Sequence, residues 1–359
     1  MSLGLDLPLI AAPMAGGPST PALVTAAARA GGLGFLAAGY RTPDDLAEQI
    51  AAVRAAAVPF GVNLFAPNPV PVDPAAYGRY RSALQTEADR YGVHLPENPR
   101  EDDDHWHAKV ELLLADPVPV VSFTFGVPDA RVIAAFRKVG TLTVQTVTTV
   151  DEAKLAGGVD ALVVQAAAAG AHYGTLTPSR PGPPMPLTDL VSAVRAATGV
   201  PVLAAGGLAT AEAIAAVLDV GADAAVIGTA LLLADESGTS APYRSALAAA
   251  ARAAGAGAVA SEDGTGSAAS TGQPGGDTVV TRAFSGRPAR ALRNAFVDRY
   301  DAIAPTGYPA VHYLTAPLRR AATANGDQDL INLWAGTGYR HARAEPLAAT
   351  FTRLSARSP

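Results

Sequence analysis

Eight short runs of apolar and β-branched residues recur along the chain, at 8–13, 33–37, 59–65, 118–125, 141–147, 161–166, 201–205 and 224–229. Each is apolar nearly throughout. A strand with one wet face alternates with a period of two, whereas a strand covered on both faces does not. Between the runs lie segments compatible with helix at about 20–30, 44–57, 129–138, 150–156, 188–197 and 210–218. Several carry start signals: Thr20 precedes Pro21 and Thr42 precedes Pro43, with Asp44 and Asp45 at the positive helix end. Buried strands alternating with crossover helices predict an α/β fold with a parallel sheet, and eight such units predict a (β/α)8 TIM barrel.

The alternation breaks in two places. The third crossover, 66–117, is long and carries Pro67, Pro69, Pro71 and Pro74, so it is expected to wrap one side of the barrel before a helix at about 77–91. The acidic run Glu101, Asp102, Asp103 and Asp104 follows, and reads as a solvated surface loop in preference to a metal site. After the eighth run, 243–254 is alanine-rich and helical in character. Residues 255–277 are rich in Gly, Ser, Thr and Ala and read as a flexible loop. Order is expected to resume at 278–283 and 284–294, with a last helix at about 347–355. The resulting division is a barrel over 1–234, a smaller α-rich lid subdomain over 235–325 that includes Tyr308, His312 and Tyr313, and a segment 326–359 returning to the barrel. A chain of 359 residues that is 49% hydrophobic has the length for this, since a barrel takes roughly 250.

Composition then narrows the chemistry. The net charge is −5 and no long basic run occurs, so the footprint of a nucleic-acid binder is missing and a small-molecule partner is expected. With no cysteine, disulfides, thiolate metal sites and cysteine nucleophiles are excluded. The first seventeen residues lack a basic region ahead of their apolar run, and no apolar stretch is long and unbroken enough to span a bilayer. A cytoplasmic location without membrane partners is the expectation, with oligomerisation left open. His105 and His107 flank Trp106 without an evident third ligand, so no metal is expected.

In such barrels the chemistry sits at the C-terminal ends of the strands. Those ends carry Met14, Asn63, Gln145, Gln165, Gly170 and His172, then Gly206 and Gly207, and finally Gly228 and Thr229. Uncharged hydrogen-bonding groups and glycines suit a flat polar ring better than a metal ion. Glycines after strands seven and eight bring bare amides close to an anion, which favours a phosphate site over a simple chain turn. His172 stands in a glycine and alanine frame, and is either a structural histidine or a group that moves a proton or binds an anion.

Nine segments in order, among them "PLIAAPMAGGPSTPAL", "PFGVNLF", "QAAAAGAHYGT", "PVLAAGGLAT", "IGTALLLADESG", "TRAFSGRPARALRN" and "LWAGTGYR", resemble the nitronate monooxygenases, formerly 2-nitropropane dioxygenases, of the class I type. The resemblance implies a barrel holding FMN non-covalently under a smaller domain. It implies FMN contacts from Asn63, Gln165, Gly170, Gly207, Gly228 and Thr229, with Met14 against the ring. Gln145 and Gly206 are added from strand geometry. It also implies that His172 is catalytic, orienting or deprotonating an alkyl nitronate that the flavin and O2 convert to a carbonyl compound and nitrite. The chain departs from the usual family pattern QGxEAGGHRG: Ala166, Ala168 and Ala171 replace a glycine, a glutamate and a glycine, and Tyr173 replaces an arginine. Val226 and Thr337 stand where glutamines are common. Without the acidic group, His172 is expected to lack an orienting partner. The alternatives are a flavin-dependent enoyl reductase or NADH:quinone reductase using NAD(P)H, and a flavin-binding module without turnover.

Overall fold

The computed structural model describes residues 5–178, 182–262 and 278–356. Among the described residues eleven strands form: β1 (Leu9–Ala11), β2 (Leu33–Ala37), β3 (Phe60–Phe65), β4 (Val120–Thr124), β5 (Leu142–Val147), β6 (Ala161–Gln165), β7 (Ala171–His172), β8 (Val202–Ala205), β9 (Ala224–Ile227), β10 (Thr278–Thr281) and β11 (Ala289–Leu292). Eight of them, β1 to β6 with β8 and β9, close into a barrel of parallel strands, β9 pairing back onto β1. These are the eight apolar runs, and they are apolar because both faces are covered. One face packs inward as Ile10, Phe35, Val120, Val144, Leu203 and Val226, while the other meets the helices through residues such as Leu9, Val164, Ala204 and Ile227.

The crossover helices start where the sequence puts their caps. Thr20 accepts from the Leu23 amide at 3.0 Å. Thr42 and Asp45 exchange side-chain and backbone bonds in a capping box ahead of the helix Pro43–Arg54. Thr149 and Thr210 cap the helices Val150–Leu155 and Ala211–Asp219 in the same way.

Outside the barrel, β7, β10 and β11 form a small antiparallel sheet in the order β10-β11-β7. A second core joins the long crossover to the post-barrel chain: Tyr77, Tyr80 and Leu84 from the helix Pro74–Ala83 and its end pack with Phe284, Phe296, Leu314 and Leu318. Residues 72–95 therefore share a core with the 235–325 segment. The last helix, Leu347–Ser355, returns to the barrel, burying Leu347, Phe351 and Leu354 among barrel-wall residues.

Three local expectations change. The helix expected to stop at 254 runs Ala241–Glu262, so residues 255–262 are not loop; 263–277 lie outside the described residues. The segment around His105 and His107 opens a further helix, Trp106–Ala115. The acidic run is more than a solvated loop, because Asp104 pairs with the buried Lys109 at 2.7 Å and accepts from the Tyr40 amide at 2.9 Å. Burial raises the Asp104 carboxyl above its usual range and lowers the Lys109 ammonium, the pairing opposing both. Asp102 accepts from the Tyr313 hydroxyl at 2.9 Å. Among the described residues no helix is long and apolar enough to cross a membrane.

Candidate active site

A cavity of about 700 Å³ occupies the C-terminal mouth of the barrel. Met14, Asn63, Gln165, Gly170 and His172 line it, as do Gly206, Gly207, Gly228 and Thr229. Gln145 does not. Side chains alternate along a strand, and on β5 Val144 and Thr146 point into the barrel, so Gln145 takes the opposite face. It is fully buried and donates to the carbonyls of Phe123 and Thr146, while its own Oε1 has no partner. Thr146 is the β5 residue at the cavity.

The polar residues at the strand ends shape the mouth. Asn63 donates from Nδ2 to Ser122 Oγ at 2.9 Å and Thr124 Oγ1 at 3.0 Å. Gln165 accepts from the Gly174 amide at 2.7 Å and so holds the segment that follows His172.

The loop after β6 is built on close backbone contact. A Cβ on Gly170 would lie 2.5 Å from the Gly336 amide nitrogen, and one on Gly336 would lie 2.5 Å from the Ala168 carbonyl oxygen. No other residue fits this approach. Thr229 Oγ1 accepts from the Gly336 amide at 2.9 Å, and Thr337 donates its amide to Ala168 at 3.0 Å. The β6 loop, the end of β9 and the "LWAGTG" segment are thereby bound into one floor. Gly207 sits at φ +76°, in the left-handed region that favours glycine. Thr239 and Ser240 also line the cavity; the hydroxyl-rich "SGTS" run is the sequence signal for them.

His172 is held from the opposite direction. Its strand β7 pairs with β11, Ala289 facing His172, and its Nε2 lies 2.9 Å from Ser285 Oγ. Ser285 of "TRAFSGRPAR" is thus the orienting partner that the loss of the family glutamate left unaccounted for. The imidazole sits among Trp334 at 5.4 Å, Phe125 at 5.7 Å and Tyr308 at 5.7 Å between ring centroids. Burial lowers its pKa from 6.5 to about 3, and the Arg287 and Arg319 guanidinium groups push the same way. The ring is therefore neutral across the physiological range, with Nδ1 the nitrogen left for a substrate.

Both arginines lie far along the chain, beyond the reach of local motifs. Arg287 is fully buried, donates to the Thr175 carbonyl and stands 4.0 Å from the Phe125 ring centroid, with Nε and Nη1 lacking partners. Arg319, on the helix Ala310–Ala324, lines the cavity and donates only to neutral acceptors, among them Thr315 Oγ1 at 3.1 Å and the His312 carbonyl at 2.9 Å. Arg319 also donates from Nη2 to His312 Nδ1 at 3.2 Å, which puts the imidazole proton on Nε2. The His312 ring stacks on Tyr40 at 4.0 Å. The site thus holds two buried guanidinium groups, Glu152 acting on Arg287 through its field, with aromatic rings around His172.

The nitronate monooxygenase family model matches residues 4–352. A probable nitronate monooxygenase from Staphylococcus aureus (strain Newman) is 31% identical over 353 residues, covering 96% of this chain and 92% of that protein. The crystal structure of a nitroalkane oxidase from Streptomyces ansochromogenes superimposes with a TM-score of 0.86 at 43% identity, covering 98% and 95% of the two chains. FabK from Thermotoga maritima, at 24% identity and a TM-score of 0.70 over 98% and 92%, shares the fold.

Proposed function

The chain belongs to the nitronate monooxygenase family and is an oxidoreductase, and from that premise we propose that it binds FMN at the barrel mouth and uses it to oxidise alkyl nitronates with O2 to a carbonyl compound and nitrite. The cavity size falls in the range of cofactor sites. A Cβ on Gly228 would sit in ordinary contact with Ala12 and Met14, 3.6 and 4.0 Å away, so what its glycine offers is a bare amide at the cavity wall. Among the lining residues, Gly207, Gly228, Thr229, Thr239 and Ser240 would hold a phosphate, while Met14, Asn63, Gln165 and Gly170 would flank the ring. The flavin, when bound, supplies the acceptance of electrons from the substrate and their transfer to oxygen.

The observation that carries the choice of nitronate is a neutral imidazole in the field of the Arg319 guanidinium, which donates to neutral acceptors. A neutral nitroalkane must first lose a proton, and a group with a pKa of about 3 is a poor base for that task near neutrality. A nitronate arrives already ionised. It needs a cation nearby, which Arg319 provides, and a hydrogen-bond partner that carries no negative charge, which His172 provides. Ser285 fixes the imidazole while the rings of Phe125 and Trp334 exclude water.

The decisive test is anaerobic mixing of the purified yellow protein with an alkyl nitronate, its parent nitroalkane and NAD(P)H in turn. Bleaching by the nitronate alone, followed by nitrite release on admitting oxygen, is the expected result. Bleaching by NAD(P)H and not by the nitronate would replace this reading with a reductase. The name of the 43% identical Streptomyces relative favours a second reading, oxidation of the neutral nitroalkane, and faster bleaching by that compound would select it.

A further inference from the structure

Beyond the aromatic end of the active cavity lies a second chamber of about 250 Å³, whose rim carries Glu101, Asp102, Asp103 and Asp104. Tyr40, Phe65 and Phe125 line both spaces. His172 lines the larger and Tyr308 the smaller, yet their rings are 5.7 Å apart. The partition is therefore one side chain thick.

Its four members close on one another. Tyr40 meets Phe65 edge-on at 5.4 Å, Phe65 meets Phe125 at 4.6 Å, Phe125 meets Tyr308 at 5.3 Å, and the Tyr308 and Tyr40 hydroxyls are 3.1 Å apart. Each side is anchored: Tyr40 by its stack on His312 and by Asp104 at its amide, and Phe125 by the Arg287 guanidinium over its face. Such bracing suits a fixed wall better than a mobile flap. A substrate whose reacting end sits against His172 meets this wall with its alkyl chain.

We propose that the Tyr40, Phe65, Phe125 and Tyr308 wall is the specificity determinant that sets the longest alkyl chain the enzyme accepts, closing off a chamber that would otherwise hold the rest of an uncharged chain. This rests on the nitronate reading given above. The ligand class is a straight-chain alkyl nitronate with an apolar tail, since the acidic rim behind the wall repels an anionic tail.

The experiment opens the wall at two independent points. Tyr40→Gly removes one ring at a position with φ +66°, which glycine adopts without strain, and Phe65→Ala removes another. Tyr308→Phe keeps the ring and deletes only the hydroxyl contact. For each holoenzyme, kcat/KM is measured for ethyl through octyl nitronates, and dissociation constants are measured calorimetrically for the matching unreactive alcohols. In the native enzyme both series stop improving at a definite chain length. In Tyr40→Gly and Phe65→Ala each methylene past that length gains about fourfold, the equivalent of about 0.8 kcal/mol per buried CH2. Tyr308→Phe keeps the native limit. Unchanged limits in both opened variants, with native-like melting, would overturn the proposal, as would an equal extension in Tyr308→Phe. Because alcohol binding needs no turnover, a native enzyme inert toward every nitronate would overturn the functional reading alone, and the calorimetric series would still decide the wall.

Discussion

The buried neutral His172 makes folding stability depend on pH in a way that can be worked through. Its folded pKa of about 3 lies below the ordinary 6.5, so at pH values between the two the unfolded chain binds a proton that the folded one refuses. The sign follows from that difference. Stability from this group is complete above pH 6.5, falls on acidification through the window, and levels off near pH 3. The slope approaches about 1.4 kcal/mol per pH unit below pH 6, so acidifying from pH 7 to pH 4.5 withdraws roughly 2–3 kcal/mol through His172 alone. Other groups titrate in the same range, among them His312, which burial also holds well below its usual value. Comparison with His172→Gln removes that background, because glutamine is polar, keeps a partner for Ser285 and does not ionise. Urea unfolding of both proteins at intervals from pH 7 to pH 4.5 is expected to show the native protein losing roughly 2–3 kcal/mol more than the variant. A difference between them that stays constant with pH would refute the claim that this imidazole is neutral and desolvated in the folded state.

Gly207→Val is expected to release the flavin, since φ +76° is closed to a β-branched residue; absorbance of the gel-filtered variant checks this. Ala171 adopts φ +63°, so Ala171→Gly is expected to raise the stability by about 0.5–1 kcal/mol, the left-handed strain relieved less the added chain entropy, as a shift in urea midpoint. Lys109 is 1% exposed and bonded to Asp104 and to the Ala38 carbonyl, so Lys109→Met is expected to cost about 3 kcal/mol by stranding the carboxylate, readable by the same denaturation.

The barrel was legible because its signal is local and repeated. A strand buried on both faces must be apolar within five or six residues, and a helix start announces itself through Thr42, Pro43 and Asp45. The strand-end residues were legible for the same reason, fold geometry converting position in a run into position at the mouth. Gln145 shows where this fails: reading it as an end residue ignored the alternation that turns it away from the cavity. The partners of His172 were harder to see. Ser285 is 113 positions away, and the Tyr40 and Tyr308 hydroxyls are separated by 268. Nothing in either neighbourhood encodes these contacts, and His172 itself is positioned because β11 docks on a two-residue strand too short to carry any periodicity.

The interlock of Gly170 with Gly336, tied by Thr229, also dictates a timetable. Gly336 and Thr337 come about a hundred positions after the last barrel strand, β9, and they brace the loop that presents His172. During synthesis the eight barrel strands emerge long before this brace does. The mouth of the barrel is therefore completed only once positions 336 and 337 have left the ribosome, and a product terminated before position 336 would carry the barrel strands without a finished place for its cofactor.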